Sequence, residues 1–489
     1  MPTALAATIV FVASAAVLVL EILAGRLLAP YVGITLESFT AIIGTVLAGI
    51  ATGNWLGGRL ADRYEPRSLL GPMLVLGGAL AFLTIPVVDG LAAGARVADP
   101  GTIVLLAASG FFAPAMVLSG VTPTVVKIQL GSLEETGRVV GRLSAIATAG
   151  AIAGTFVTGF VLVAAFPTRA TIRLLAAGLA LGGVLLWLRL RRWRELTVGG
   201  LVAVLVAGGL SFAAADPCQY ESAYFCARVV TDPDRASGRT LWLDTVRHSY
   251  VDLEDPTHLG FTYSQTMSDV LATVAPPGAP LDVVHVGGGG FTLPRYLRAT
   301  RPGSDHIVLE LDPLLVEIGQ DQLGLELRDD IEVRTGDARL TLRDVPDGSA
   351  DVVVGDAFGG VAVPWHLTTQ EFLWEVRRVL TSGGVYVMNL IDHEPLAFAR
   401  AEVATLRTVF EHVAVLAPPA RLRGEEGGNF VIVASDGELD VAAMLARNEA
   451  RGDDEAALVD EELEAFVDGA QVLTDEHAPV DQLLTPYGP

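Results

Sequence analysis

Across residues 1–215 the apolar positions run almost unbroken, and polar ones are confined to short gaps. Stretches near the roughly 20 residues needed to cross a bilayer fall at 4–28, 38–58, 69–88, 102–122, 145–166, 171–188 and 198–215. That pattern predicts seven transmembrane helices, the last being the shortest. From residue 216 the pattern changes. Strands are predicted at 227–231 and 241–243 with a turn at Ser237-Gly238, then a helix over 257–274 broken by Pro276-Pro277-Gly278. An alternating series follows: strand 282–286, helix 292–299, strand 306–311, helix 313–322, strands 331–334 and 351–355, helix 369–380 and strand 384–390. Strands separated by helical patterns imply a parallel sheet with right-handed crossovers. Residues 394–412 read as helix, 429–434 as strand and the acidic segment 437–468 as helix. The expected organisation is an α-helical transmembrane domain (1–215), a β-rich subdomain (216–280) and a Rossmann-like α/β domain (281–489) with an acidic C-terminal segment.

Charge sharpens this division. Of 33 basic and 56 acidic residues, 14 and 9 lie in 1–215, leaving 19 and 47 for the remainder. So acidic a surface excludes nucleic acid as a partner. Basic residues cluster in alternate gaps of the apolar half: Arg59, Arg63 and Arg67, then Lys127, Arg138 and Arg142, then Arg189, Arg191, Arg192 and Arg194. The intervening gaps hold Arg26, Arg96, Arg169 and Arg173. The positive-inside rule therefore puts the amino terminus in the cytoplasm, and seven spans put the acidic half outside a plasma membrane crossed many times. Cys218 and Cys226, the chain's two cysteines, follow the last span, and their isolation favours a disulfide in an oxidising compartment. Glu21 lies in the first span, where a carboxylate needs a partner; Arg26 is the expected one.

The chemistry concentrates at 281–312. An apolar strand runs into Gly287, Gly288, Gly289 and Gly290, a helical segment follows, and a second strand carries Glu310 at its carboxyl end. Glycines let the backbone approach a ligand and take positive φ, and an acid at the end of the next strand is placed to accept ribose hydroxyls. Ligands of parallel sheets bind at the carboxyl ends of the strands, where Asp337 and Asp356 also fall. The expectation is a nucleoside site.

These residues resemble the spermidine synthase family of aminopropyltransferases, and the whole chain resembles its membrane-fused bacterial members. The resemblance is carried by ESAY (221–224), LWLD (241–244), FTY (261–263), HVGGGG (285–290), LELDP (309–313), GDA (336–338), GDAFGG (355–360), LTTQEF (367–372) and Glu21-x4-Arg26-x-LAPYVG. It implies a methyltransferase-type Rossmann-like fold, decarboxylated S-adenosylmethionine or S-adenosylmethionine as co-substrate, no metal, an amine or other small nucleophile as acceptor, and a homodimer. In that family an acid takes the proton of the attacking amine, and Asp356 matches it. Gly287, Gly288 and Gly289 match the nucleoside turn, Glu310 the ribose acid, and Asp337 with Ala338 the adenine contact. His248 stands where the family has glutamine, Tyr263 matches a substrate-lining tyrosine, and Trp365, with Phe291, Phe358 and His366, is expected to make the acceptor pocket aromatic.

Two departures set the acceptor apart. The family turn continues with an aspartate where this chain has Gly290, and the second acid of its D-x-x-D motif is Gly359 here. A buried ammonium without a counter-charge costs several kcal/mol, so ordinary diamine recognition is not expected. Two other readings follow from the same residues: a methyltransferase on the same fold, and a nucleoside- or polyamine-binding domain attached to a transporter-like membrane domain. The run GNWLGGRLADR (53–63) resembles a loop of major-facilitator transporters, although small residues at a helix interface explain it equally well.

Overall fold

The computed structural model describes residues 1–93, 99–189 and 198–484. Its contacts divide the chain into two compact units, Met1–Ala227 and Arg228–Gly488. Arg96, Arg191, Arg192 and Arg194, used above to orient the chain, lie outside the described residues.

Among the described residues of the N-terminal unit six helices are long and apolar enough to cross a membrane: Thr3–Val32, Leu36–Arg63, Pro66–Ala92, Pro100–Gln129, Leu133–Ala165 and Thr168–Arg189. The seventh expected span is a helix of 16 residues, Val198–Ala213. At 1.5 Å per residue it covers about 24 Å, short of a hydrocarbon core of about 30 Å. Small residues bring helices together. A Cβ on Gly53 would lie 2.0 Å from Met116 O, and one on Gly57 2.5 Å from Gly120 Cα, so the 53–63 run packs as helix against helix. Gly150 and Gly154 do the same against Phe11 and Ala15, the small-xxx-small device of membrane bundles.

Several charged groups of this unit are paired. Arg169, 4 % exposed, forks onto Asp89 at 2.9 and 2.7 Å, and Tyr31 Oη donates to the same carboxylate at 2.8 Å. Arg26 pairs with Glu221 at 3.6 Å and donates to the carbonyls of Ser222 and Ala223. Its partner is therefore Glu221, where Glu21 was expected; the guanidinium reaches three acceptors at once along that segment. Cys218 and Cys226 form a disulfide, closing the turn between β1 (Tyr220–Glu221) and β2 (Cys226–Thr231). The division between units falls inside β2.

The C-terminal unit opens on a hairpin of β3 (Gly238–Leu243) and β4 (Val246–Asp252), with a bulge at Leu241/Trp242, and a helix, Thr262–Val274. The main sheet contains β5 (Asp282–Val286), β6 (Asp305–Glu310), β7 (Ile331–Thr335), β8 (Ala350–Gly355), β9 (Leu380–Asp392), β10 (His412–Ala417), β11 (Gly428–Ser435) and β12 (Ala456–Leu458). Their spatial order is β12-β10-β11-β9-β8-β5-β6-β7. β7, β6, β5, β8 and β9 run parallel, while β11 joins β9 antiparallel and β10 joins β11 antiparallel. Val283, Val284, Val352, Val353 and Val354 are at most 2 % exposed. Burial on both faces explains why these parallel strands read as continuous apolar runs.

Two sequence readings are corrected. His412–Ala417 forms β10, immediately after the segment read as helix over 394–412. The acidic segment 437–468 is two helices, Val441–Arg451 and Asp460–Val467, with β12 between them. β12 pairs with β10 through Val415–Ala417, and an apolar triplet gains its strand geometry from that edge, not from its own pattern.

Candidate functional site

Because β8, β5, β6 and β7 are parallel neighbours, their carboxyl ends line up, and Gly287, Glu310, Asp337 and Asp356 fall at those ends or within two residues of them. Backbone bonds tie these ends together. Gly287 N donates to Leu309 O at 2.9 Å, Asp356 N to Val286 O at 2.9 Å and Gly336 N to Glu310 O at 2.8 Å. Gly287 has φ 99°, and a Cβ there would stand 2.5 Å from Asp356 O. Only glycine allows both that conformation and that approach.

Glu310 holds the turn. Its Oε2 accepts from Gly288 N at 2.8 Å and Gly289 N at 3.0 Å, and its Oε1 accepts from Asp312 N at 2.8 Å. The side chain is 5 % exposed, and burial pushes its carboxyl above the usual range against those three bonds. The lone pairs left over are the ones available to a ligand hydroxyl. On the other side of the turn, Gly290 N donates to Ser249 Oγ at 3.0 Å, and Ser249 Oγ lies 2.9 Å from His248 Nδ1. Burial lowers His248 to about 4, so the ring is neutral.

Asp356 is the acid that faces the cleft. Tyr263 Oη donates to its Oδ2 at 3.3 Å and Asn389 Nδ2 to its Oδ1 at 2.9 Å. Asn429 Nδ2 in turn donates to Asn389 Oδ1 at 2.9 Å, fixing the amide's orientation. Burial raises the Asp356 carboxyl to about 6, with the Asn389 and Tyr263 bonds opposing it. Tyr263 is itself raised well above the ordinary phenol range by burial and by Asp356, so it remains a donor. A cleft of about 320 Å³ opens onto Asp356, His248 and Tyr263.

The remaining positions fall elsewhere along the edge. Asp337 caps the short helix Ala338–Thr341 by accepting from Arg339 N at 2.8 Å, and lies 3.3 Å from His366 Nε2. Ala338 beside it is buried. Trp365, expected to line the acceptor pocket, is 51 % exposed and borders a neighbouring cleft formed with Glu476–Gln482. Phe291 is fully buried against Val308, Leu325 and Ile331, so it belongs to the core; Phe358 alone of the four aromatic positions lines the Asp356 cleft. Sequence reasoning missed Ser249, Asn389, Asn429, Arg247 and Arg421. None sits in a recognisable motif, and a polar residue inside the apolar run of β9 (Asn389) was the one available signal.

No protein-family model matches the chain. It is 32% identical over 163 residues to a polyamine aminopropyltransferase of Vibrio vulnificus, covering 32% of this chain and 50% of that protein. It is 28% identical over 142 residues to the eEF1A lysine and N-terminal methyltransferase of Homo sapiens, covering 27% of this chain and 20% of that one. The crystal structure of a probable spermidine synthase from Corynebacterium glutamicum superposes with a TM-score of 0.50 at 28% identity, over 56% of this chain and 100% of that one. The match is to the spermidine synthase family. The chain spans half the length of the Vibrio relative, and its likeness to the spermidine synthases is both of sequence and of fold. The relatives are named as transferases.

Proposed function

We propose that the chain is a membrane-anchored, spermidine synthase-like transferase that moves an aminopropyl group from decarboxylated S-adenosylmethionine to a small nucleophile. The observation that carries this reading is Asp356: one part-buried carboxylate, raised to about 6, at the carboxyl edge of the sheet beside the Gly287 turn. A base that titrates near 6 is ionised at neutral pH yet still basic enough to accept a proton. The sulfonium donor supplies an activated carbon. As the acceptor nitrogen bonds to that carbon, the C–S bond breaks with its electron pair on sulfur, and Asp356 takes the proton the nitrogen loses. Tyr263 and Asn389 hold the carboxylate in place through this change. Gly287, Gly288, Gly289 and Glu310 are the proposed nucleoside cradle, Asp337 and Ala338 the base contact, and neutral His248 a further contact in the same space.

The human methyltransferase relative supports a second reading, methyl transfer from S-adenosylmethionine. The two differ in the nucleoside released. Purified full-length protein is to be supplied with each donor. Methylthioadenosine from the decarboxylated donor is the expected product, and S-adenosylhomocysteine alone, from the other, would replace this reading with the second. Asp356→Asn is expected to lower turnover by about 10²–10⁴-fold, the usual contribution of a general base.

A further inference from the structure

The cleft over Asp356 is lined by one acid and two arginines. Arg247 enters from the start of β4 and Arg421 from the helix Pro419–Leu422, beside Asn389 and Asn429. Neither arginine has an ion pair among the described residues. Arg421 is half-buried and makes one long hydrogen bond, from Nη1 to Asn429 O at 3.4 Å, and its Nε is buried without a partner. Arg247 is exposed, with its guanidinium 5.3 Å from the centre of the Phe261 ring, and senses Asp232 from beyond ion-pair distance. A diammonium acceptor placing one nitrogen at Asp356 would carry its second charge toward these cations. The two positions where the family keeps further acids do not relieve this. Gly359 has no side chain, and at Gly290 a Cβ would stand 2.6 Å from Ser249 Cβ.

Resting on the transferase reading above, we propose that the acceptor is an amine with an anionic far end, its nitrogen at Asp356 and its anion held by Arg421 with Arg247. A guanidinium with free N–H groups forks onto a carboxylate or phosphate, and burial strengthens that bond while leaving an unfilled arginine costly. Arg421 carries most of the effect because it is the more buried of the two; Arg247, in water, contributes steering.

The test is equilibrium binding of matched small molecules to the purified full-length protein: 4-aminobutyrate, 2-aminoethyl phosphate and 1,4-diaminobutane. One or both anionic amines are expected to bind at least about tenfold more tightly than the diamine, and the pair separates carboxylate from phosphate recognition. Arg421→Gln should weaken the anionic amine by about 10–100-fold, the loss of a charged hydrogen-bonding group, Arg421→Lys should keep part of the affinity, and Arg247→Gln should cost less than Arg421→Gln. Binding of decarboxylated S-adenosylmethionine, measured on the same samples, reports the fold of each variant and the transferase reading. Tighter binding of the diamine, equal binding of the anionic amine by Arg421→Gln protein with intact donor binding, or no binding of either at millimolar concentration overturns the proposal. Anionic binding that depends on Arg421 without any donor binding leaves it standing and removes the transferase reading instead.

Discussion

At the scale of single residues, Asp356 makes a prediction that ties activity to stability with a definite sign. Its carboxyl titrates near 6 in the folded chain and near 3.8 when unfolded, so the folded state holds the proton more tightly. Ionising it therefore costs stability: the cost is absent below the unfolded value, grows between the two and is complete above about 6. Asp356→Asn should raise thermal stability at pH 7–8, by on the order of 1–3 kcal/mol, with the gain vanishing toward pH 4. The same variant should lose turnover by about 10²–10⁴-fold. In the native chain kcat/KM should fall about tenfold per pH unit below about 6, as the base becomes protonated. A pH profile flat from 5 to 8, with the Asn variant no more stable than the native protein, would deny Asp356 both roles.

Among the elements, the glycine turn and its neighbours decide what the cleft can accept. Ser249 occupies the space that a side chain at 290 would need, with a Cβ–Cβ approach of 2.6 Å. Gly290→Asp, which writes the family's aspartate back into the turn, should lower stability by about 1–3 kcal/mol through overpacking and give no gain in diamine turnover. A gain would mean that β4 yields and that the acceptor site differs from the family's by one side chain. In the helical unit the Arg169–Asp89 pair makes a parallel prediction. Arg169→Met should cost about 3–5 kcal/mol, because it strands a part-buried carboxylate. Arg169→Met with Asp89→Asn should cost measurably less, as read by thermal unfolding in detergent. How legible these elements were in the sequence follows from their environment. β5, β6 and β8 were plain because strands buried on both faces must be apolar throughout. β10 and β12 were not, since one follows a helical pattern without a break and the other exists through its partner.

For the whole molecule, the open question is which side of a membrane the C-terminal unit faces. Six helices among the described residues are of spanning length, and an even number of crossings would return the chain to the side on which it began, whereas the disulfide Cys218–Cys226 belongs to an oxidising compartment. The positive-inside pattern and the disulfide predict that the unit lies outside, an expectation that holds only if the helix Val198–Ala213 crosses despite its length of about 24 Å. On intact cells, a membrane-impermeant thiol reagent should label Cys218 and Cys226 after reduction and not before. Labelling that appears only after permeabilisation would put the unit inside, where S-adenosyl compounds are made. Size-exclusion with light scattering should show two copies per particle if the proposed homodimer forms.

By itself the sequence determined the two-part organisation, the parallel strands and the line of chemistry from Gly287 through Glu310 to Asp356. Each of these is written in local pattern: apolar periodicity, glycines where backbones must approach, an acid at the end of an apolar run. Only the tertiary structure decided what surrounds that line. Phe291 went to the core and Trp365 to another cleft, Ser249 closed the turn, and Asn389, Asn429 and Arg421 came from β9, β11 and the helix after β10 to face Asp356. Those contacts join segments dozens of residues apart through the antiparallel edge of the sheet. No local spacing encodes them, because the order of strands in a sheet is set by packing and crossover geometry, not by the pattern within any one strand.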